Sequence, residues 1–301
     1  MEVIVGDYDG QVLGFHWDID SSDSKDFALD FSNQNHSGNV KALAATGDYF
    51  ASGSTDECVR LYSFNKRIEL GTLMHHNGTV TGLEFASKSH LLSTAEDGIL
   101  TIWKCKSWEC LKNFKGHKSA INSLAVHPSN NMAMTTSKDK TMRVWNLVTG
   151  RQSYIVNCKE DVPIVQWSPS GHLYALVVKN KAFFYELKTA SFVHKVDFQS
   201  RITSLQFISE NIVAITGDNS ILKLYEISSE SCSSESAKLS SRIKAMKVCS
   251  TSNPTMPNVV VAALSDGWIK IWKYESNAIT EVVNENIGLR LTSICCLLSD
   301  H

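Results

Sequence analysis

The sequence predicts an all-β fold, a β-propeller of seven four-stranded blades, from three observations. A short hairpin frame recurs seven times along the 301 residues. A strand pattern precedes each frame and another follows it, so that four strands belong to each full repeat. The chain ends on a strand that can complete the hairpin with which it begins. We therefore expect one domain over residues 1–301, in which the C-terminal strand pairs with the N-terminal hairpin and closes the ring.

The hairpin frame is clearest at Asp97–Trp103, where an acidic residue opens a tight turn and an aromatic residue closes the strand that follows. The Asp-Gly pair is a strong hairpin signal, because glycine accepts the positive φ that such turns need. The seven closing aromatics, spaced by 40 to 47 residues, are Phe15, Tyr62, Trp103, Trp145, Tyr185, Tyr225 and Trp272. A period of about 40–45 residues with a terminal aromatic is the signature of a WD repeat.

The inner strands show how the repeats close. Upstream of each full hairpin, apolar residues recur at offsets of zero, three and five, as at Val80, Leu83 and Phe85. The first hairpin lacks such an inner strand, whereas residues 291–298 form an inner strand that lacks its hairpin. The simplest solution is that both ends share one blade of a seven-bladed WD40 β-propeller.

Composition limits the classes of function. A formal net charge of −2 gives no overall attraction to nucleic acid or anionic lipid. The eight cysteines form no C-x-x-C pair, which is typical of reduced thiols in an intracellular protein. No run approaches the roughly 18 apolar residues that span a bilayer, and the N-terminus does not resemble a signal peptide. We therefore expect an intracellular protein with no membrane partner.

Polar residues recur in three blades in a way that resembles a catalytic triad. His36, His76 and His117 each lie four residues before the first apolar residue of an inner strand. The predicted networks are His36, Asp56 and Tyr62; His76, Asp97 and Trp103; and His117, Asp139 and Trp145. Serine and threonine hydroxyls lie nearby, but a set that repeats blade after blade is typical of a folding device rather than an active site.

The WD repeats that these blades resemble imply a buried network, in which the histidine joins the aspartate to a hydroxyl and the aromatic packs the blade. The other four blades place Cys158, Phe198, Leu239 and Ile287 at the histidine position. The histidines lack metal-ligand spacing, and no phosphate-binding or nucleophile motif is present. We therefore expect no enzyme activity, no cofactor, no metal and no small-molecule substrate.

The residue before each inner strand is expected on one rim of the propeller, facing the central opening. Around the repeats this residue is Asn39, Thr79, Ala120, Asp161, Arg201, Arg242 and Arg290. Three arginines in consecutive blades predict a basic arc, bordered by the turn residues Asp218 and Ser265. Guanidinium groups bind carboxylates or phosphates through a bidentate fork, so the arc suits an acidic peptide or a phosphate backbone.

Several segments go beyond a generic WD repeat, and residues 75–79 and 108–112 are the most specific of them. The segments are residues 75–83, 108–112, 145–148, 165–169 and 265–273. These segments resemble the PAK-kinase-interacting WD-repeat proteins, which act as assembly factors for the large ribosomal subunit. The resemblance covers nearly the whole chain and implies a nucleolar scaffold in ribosome biogenesis and pre-rRNA processing, with pre-ribosomal proteins and pre-rRNA as partners. Family members carry a lysine-rich tail after the propeller, whereas this sequence stops at His301.

Two other functions compete with the ribosome-assembly scaffold. The same resemblance implies negative regulation of PAK-family kinases through direct binding, which needs only a propeller surface. A ubiquitin-ligase substrate receptor is disfavoured, since such receptors resemble one another in a Trp-Asp-x-Arg segment at a repeat end. Here the closing tryptophans are followed by Lys104, Asn146 and Lys273.

Overall fold

The computed structural model describes residues 1–19, 27–229, 231–249, 258–275 and 278–298. Those residues form seven antiparallel four-stranded sheets, which confirms the predicted seven-bladed β-propeller class. The sheets are blades 1 to 7, and the strands are numbered in chain order. The chain divides into two compact units: unit one is Met1–Val40 with Val196–His301, and unit two is Lys41–Lys195.

Unit one holds blades 1, 6 and 7. Blade 1 consists of β28 (Leu291–Leu297), β1 (Glu2–Asp7), β2 (Gln11–His16) and β3 (Ala28–Gln34). Blade 6 consists of β20 (Ile202–Phe207), β21 (Ile212–Gly217), β22 (Leu222–Glu226) and β23 (Ser231–Glu235). Blade 7 consists of β24 (Ile243–Cys249), β25 (Asn258–Leu264), β26 (Trp268–Glu275) and β27 (Ala278–Asn286).

Unit two holds blades 2 to 5, apart from the first residue of β4 and the last two of β19. Blade 2 consists of β4 (Val40–Ala45), β5 (Tyr49–Ser54), β6 (Cys58–Ser63) and β7 (Ile68–Met74). Blade 3 consists of β8 (Val80–Ala86), β9 (His90–Ala95), β10 (Ile99–Lys104) and β11 (Glu109–Lys115). Blade 4 consists of β12 (Ile121–Val126), β13 (Met132–Ser137), β14 (Thr141–Asn146) and β15 (Arg151–Asn157). Blade 5 consists of β16 (Ile164–Trp167), β17 (Leu173–Val178), β18 (Lys181–Glu186) and β19 (Phe192–Asp197).

Blade 1 is built from both ends of the chain, as predicted. Strand β28 pairs antiparallel with β1, so that Val3 lies opposite Cys296 and Val5 lies opposite Ile294. Val3, Val5 and Ile294 belong to one buried apolar cluster of unit one. The C-terminal strand therefore supplies both backbone pairing and core side chains to the N-terminal hairpin.

The tight turns between the second and third strands of the blades set where the polar side chains lie. Gly98 adopts a φ of 76° in blade 3, where glycine accepts the left-handed conformation without steric cost. Lys140 and Ser220 adopt the same conformation in blades 4 and 6, at φ 63° and 59°. Such a φ is uncommon for residues with a Cβ, so these two turns keep the repeat geometry at a small local cost.

Burial decreases from the inner to the outer strand of a blade. All six residues of β1 are buried, whereas β15 contains five exposed residues in succession. The core therefore lies along the inner and middle strands, and the outer strands are half-solvated edges. Among the described residues, no helix has the length and apolar character needed to cross a membrane.

Candidate functional site

Blade 3 brings together the polar side chains predicted from its repeat. Nδ1 of His76 lies 2.9 Å from Oδ2 of Asp97, and its Nε2 lies 2.8 Å from Oγ of Ser93. The indole Nε1 of Trp103 donates to the same hydroxyl at 2.9 Å. One row of hydrogen bonds thus joins the segment before β8 to the hairpin turn, to β9 and to β10.

Blade 4 repeats this row with a threonine in place of the serine. Nδ1 of His117 lies 3.0 Å from Oδ2 of Asp139, and its Nε2 lies 2.8 Å from Oγ1 of Thr135. Trp145 donates its indole N–H to Thr135 at 2.8 Å. Two neighbouring blades therefore carry the same arrangement at equivalent positions of their repeats.

The donors and acceptors of these rows are consistent with one hydrogen-bond pattern. A carboxylate can only accept, so Nδ1 of the histidine carries a hydrogen and donates to the aspartate. Nε2 of a neutral histidine then accepts the hydroxyl hydrogen, while the hydroxyl oxygen accepts the indole N–H. Ser93 and Thr135 are fully buried, at 0% exposure, so a substrate cannot reach either hydroxyl. The geometry therefore supports a structural role for the rows.

The electrostatics of blade 4 agree with a neutral histidine and an ionised aspartate. Burial raises the pKa of Asp139, but hydrogen bonds from Thr141, Lys118 N–H and His117 outweigh burial and leave the pKa below its usual range. Burial lowers the pKa of His117 more than Asp139 raises it. Asp97 of blade 3 shows the same balance, with a net lowering of its pKa.

The residues of the third predicted network lie in different units. His36 belongs to unit one, where it is buried. In unit two, Oδ1 of Asp56 accepts the backbone N–H of Cys58 at 3.1 Å, which stabilises the turn. Tyr62 stacks on Phe50 with ring centroids 4.4 Å apart. The aromatic of blade 2 is thus buried by stacking within its own sheet.

Blade 5 replaces the buried row with packing and a surface ion pair. Lys179 stands at the turn position, and its Nζ lies 2.7 Å from Oε2 of Glu160, where both side chains are more than half exposed. Tyr185 stands at the aromatic position and stacks on Tyr174 at a centroid distance of 5.3 Å. An exposed ion pair of this kind contributes little to stability, so packing dominates this blade.

Two turn carboxylates have partners that the repeat frame did not predict. In blade 7, Asp266 accepts hydrogen bonds from the hydroxyls of Ser240 and Ser241 at 2.6 and 2.7 Å. In blade 1, the carboxylate that accepts hydrogen bonds from the turn belongs to Asp7 rather than to Asp9. Its Oδ1 accepts the backbone N–H of Asp9 at 3.0 Å. Two features of the sequence indicate these contacts. Ser240 and Ser241 follow Leu239, the residue at the histidine position of blade 7, and Asp7 lies two residues before the Asp9-Gly10 pair.

The three arginines of the predicted arc occupy equivalent positions in blades 6, 7 and 1. In each blade the arginine carbonyl accepts a backbone N–H from the start of the hairpin turn. The bonds join Asp218 to Arg201 at 3.0 Å, Ser265 to Arg242 at 3.1 Å and Tyr8 to Arg290 at 2.9 Å. Each arginine therefore lies beside a turn, directly before the inner strand of its blade.

The side chains of the arc have different electrostatic surroundings. Nη1 of Arg242 lies 3.5 Å from Oδ1 of Asp218, and both side chains are nearly half exposed. The guanidinium of Arg290 lies 4.6 Å from the ring centroid of Tyr8, an exposed aromatic that the repeat pattern does not mark. Arg201 is exposed and forms no ion pair with the described residues. The arc thus presents three accessible guanidinium groups beside one acidic and one aromatic side chain.

The structure shows no candidate metal site among the residues that it describes. No group of three or more His, Cys, Asp or Glu side chains there can hold a metal ion. All eight cysteines lie among those residues and are free thiols. Among the predicted site residues, the structure brings into contact those of the rows of blades 3 and 4, and Arg242 with Asp218.

Repeated blades with buried His-Asp-hydroxyl-Trp rows define the class of WD-repeat propellers that serve as interaction scaffolds. In agreement, the family described as WD domain, G-beta repeat matches residues 29–63, 67–104 and 108–146. The chain is 39% identical over 288 residues to p21-activated protein kinase-interacting protein 1-like of Gallus gallus, covering 94% of this chain and 75% of that protein. It therefore belongs to the family of WD-repeat p21-activated protein kinase-interacting proteins.

Two further relatives extend this assignment. The chain is 38% identical over 282 residues to p21-activated protein kinase-interacting protein 1 of Homo sapiens, covering 92% of this chain and 71% of that protein. It is 32% identical over 225 residues to Protein MAK11 of Saccharomyces cerevisiae, covering 66% of this chain and 54% of that protein. Family membership thus agrees with the resemblance found in the sequence.

Proposed function

We propose that this chain is a non-catalytic interaction scaffold in ribosome biogenesis, acting in assembly of the large ribosomal subunit and in pre-rRNA processing. Membership in a family whose sequence pattern implies this role supports the proposal, as does similarity to Protein MAK11. The same resemblance implies nuclear and nucleolar localisation. Pre-ribosomal proteins and pre-rRNA are the partners that this role requires.

The buried rows support a non-catalytic role. Ser93 and Thr135, whose hydroxyls have the hydrogen-bond partners of a nucleophile, are fully buried. General base and nucleophile chemistry requires that the reacting atom approach within about 3 Å of the hydroxyl. The hydroxyls of Ser93 and Thr135 form hydrogen bonds with histidine and tryptophan side chains instead, which supports a role of the rows in stabilising the blades.

The arginine arc is the single observation that carries a binding function. Arg201, Arg242 and Arg290 occupy equivalent positions beside hairpin turns. A guanidinium forms paired hydrogen bonds to a carboxylate or phosphate, which are stronger than bonds between neutral groups. Pre-ribosomal particles present both chemistries, as acidic protein segments and as RNA phosphates.

A charge reversal of two arginines tests this function. We expect Arg201→Glu with Arg242→Glu to fold normally, because exposed substitutions usually change stability by less than about 0.5 kcal/mol. Losing one charge-assisted hydrogen bond costs about 1.5–3 kcal/mol, which lowers affinity by about tenfold or more. Tagged protein should therefore co-sediment much less with precursors of the large subunit, and crosslinking should recover less pre-rRNA.

Lys66→Glu with Lys104→Glu is the matched control, because it makes the same charge change at exposed positions of unit two. We expect this control to co-sediment like the wild type. A folded arc variant that still co-sediments normally with precursor particles would remove the arc from the proposal.

A second candidate function is direct binding to a PAK-family kinase, with negative regulation of its signalling. The names of the chicken and human relatives describe p21-activated protein kinase-interacting proteins, which favours this candidate. An acidic segment of such a kinase can use the same arc. Quantitative purification of the tagged protein separates the two functions: recovery of the kinase without pre-rRNA or assembly factors would favour the second.

A further inference from the structure

Two cysteine side chains of unit one point toward the junction between blades 7 and 1. Cys249 is the last residue of β24 and lies opposite Val259 of β25. Cys296 is part of β28 and lies opposite Val3 of β1. Directly opposed residues of antiparallel strands point to the same face of their sheet. Cys249 therefore shares a face with Val259, and Cys296 shares a face with Val3.

The two faces meet in one apolar cluster, and the two thiols meet there as well. Val3, Val259 and Cys249 belong to this cluster, and Cys296 packs against it. The S–H of Cys296 donates a hydrogen bond to the sulfur of Cys249. Hydrogen-bonded sulfurs need only a small side-chain movement to reach the roughly 2 Å of a disulfide bond. The fold thus places these two thiols where they can be joined.

The hydrogen bond gives the two thiols different acidities. Burial raises the pKa of Cys105, a buried cysteine of unit two, to about 11. For Cys249, the hydrogen bond from Cys296 outweighs burial and lowers the pKa below its usual value. The same hydrogen bond, together with burial, raises the pKa of Cys296 well above its usual value. Because the thiolate is the form that an oxidant attacks, Cys249 is the more reactive of the two.

The neighbouring Cys295 does not share this position. Successive residues of a strand point to opposite faces, so Cys295 points away from the junction with blade 7. It lies opposite Ile4 of β1, and burial raises its pKa to about 12. Cys296 is partly exposed, whereas Cys249 and Cys295 are buried. A reagent for the pair must therefore be small.

We propose that Cys249 and Cys296 are a redox site, which forms a reversible disulfide with a small peroxide as the oxidant. The sulfur of Cys249 attacks one oxygen of hydrogen peroxide, the O–O bond breaks, and Cys249 becomes a sulfenic acid while the other oxygen leaves as water. The sulfur of Cys296 then attacks the sulfur of Cys249 and loses its proton, and the hydroxyl group leaves as a second water. The two thiols lose two electrons, which reduce one peroxide to two waters.

The disulfide joins β24 of blade 7 to β28, the strand that completes blade 1. In the reduced protein, pairing with β1 and packing in the apolar cluster hold β28 in place. A covalent link restricts the separation of the strands that it joins, in the unfolded chain and in partly opened states. A dithiol reductant reverses the link by thiol–disulfide exchange. Oxidation therefore holds the closing strand in place for as long as the oxidant outweighs the reductant.

Treatment of the reduced full chain with hydrogen peroxide, followed by alkylation of the remaining thiols and non-reducing peptide mapping by mass spectrometry, tests the proposal. We expect a monomer that has lost the mass of two hydrogen atoms, with Cys249 linked to Cys296, and recovery of both thiols in dithiothreitol. The oxidised protein should unfold about 3–8 °C above the reduced protein. Amide hydrogens of β28 should exchange about tenfold or more slowly.

Four variants separate the pair from the other cysteines. Cys249→Ala and Cys296→Ala should each abolish the link and both shifts. Cys295→Ala, which removes the thiol on the other face, and Cys232→Ser, which removes an exposed thiol, should keep them. The wild-type map does not depend on how the variants fold. The proposal is overturned if Cys249 and Cys296 stay reduced while the exposed Cys110 and Cys232 oxidise, if Cys249 pairs with a different cysteine, or if the link forms without slowing exchange in β28.

Discussion

Blades 4 and 5 lie side by side in unit two and show two ways of building the same four-stranded sheet. In blade 4, His117, Asp139 and Thr135 form a buried row that ends on Trp145. In blade 5 the tyrosines stack within the sheet, and the polar pair of Lys179 and Glu160 lies on the surface. A satisfied buried row rigidifies a blade, whereas blade 5 lacks such a row and relies on packing.

A similar difference separates the blades that match the WD repeat from those that do not. The WD domain family matches segments that end at residue 146, and these segments include the rows of blades 3 and 4. The residues of the arginine arc lie beyond that point, in blades 6, 7 and 1. We therefore expect the regular blades to supply stability and the blades that depart from the repeat to supply the binding surface.

Removing the strand that completes blade 1 should have the largest effect. Deleting residues 288–301 removes β28, and with it Leu291 and Ile294 from the cluster that contains Val3 and Val5. The deletion also exposes the backbone of β1 as an unpaired edge. We expect loss of soluble monomer in gel filtration and of a cooperative thermal transition. An unchanged transition and elution volume would contradict the shared blade.

Substitutions at the histidine position should have different effects on stability in blade 4 and in blade 5. His117→Ala removes one buried hydrogen bond from Asp139 and one from Thr135, which should lower the free energy of unfolding by about 1–3 kcal/mol. Cys158→Ala changes the same position of blade 5 and should cost less than about 1 kcal/mol, because no hydrogen-bond row is broken there. Urea titrations of both variants measure the difference. Equal costs would show that the row adds nothing to packing.

The pH dependence of stability should follow the row of blade 4. The pKa of Asp139 is lowered in the folded protein, so below about pH 4 the unfolded chain takes up protons that the folded chain does not. The pKa of His117 is also lowered, so the unfolded chain binds its proton first below about pH 6.5. Both effects make stability fall as the solution is acidified.

Asp139→Asn should reduce the loss of stability between neutral and acidic pH by about 1–2 kcal/mol. Urea titrations at several pH values measure this change. Glu160→Gln is the comparison, since it removes a carboxylate whose ion pair is exposed and screened by solvent, and it should change the acid dependence much less than Asp139→Asn. If Asp139→Asn kept the acid dependence of the wild type, the row would not be the group that titrates.

The architecture could be predicted because it depends on local patterns that recur. Alternating apolar positions, Asp-Gly turns and closing aromatics each report the environment of one strand or turn. The pairing of Leu291–Leu297 with the first strand followed from counting, since one inner strand and one hairpin were each left over. Repetition thus made long-range pairing visible in a single sequence.

The surfaces were less predictable because they depend on how side chains from separate strands meet. The equivalent positions of the arginines followed from the repeat, but the Tyr8–Arg290 contact and the Arg242–Asp218 pair depend on side-chain conformation. The groove between blades 4 and 5 depends on the side-chain volumes of residues from separate strands, such as Met132, Met142 and Tyr185. Periodicity does not encode such volumes, so the groove could not be predicted from the sequence.

Two measurements on each of two variants test most directly whether regular blades stabilise the fold while divergent blades bind partners. Unfolding free energy and co-sedimentation with large-subunit precursors are measured for His117→Ala and for Arg201→Glu with Arg242→Glu. We predict that the first variant loses about 1–3 kcal/mol of stability but binds normally per folded molecule. The second should keep its stability and lose binding. The opposite pattern, a stable His117→Ala that no longer binds and a double arginine variant that binds fully, would contradict the account.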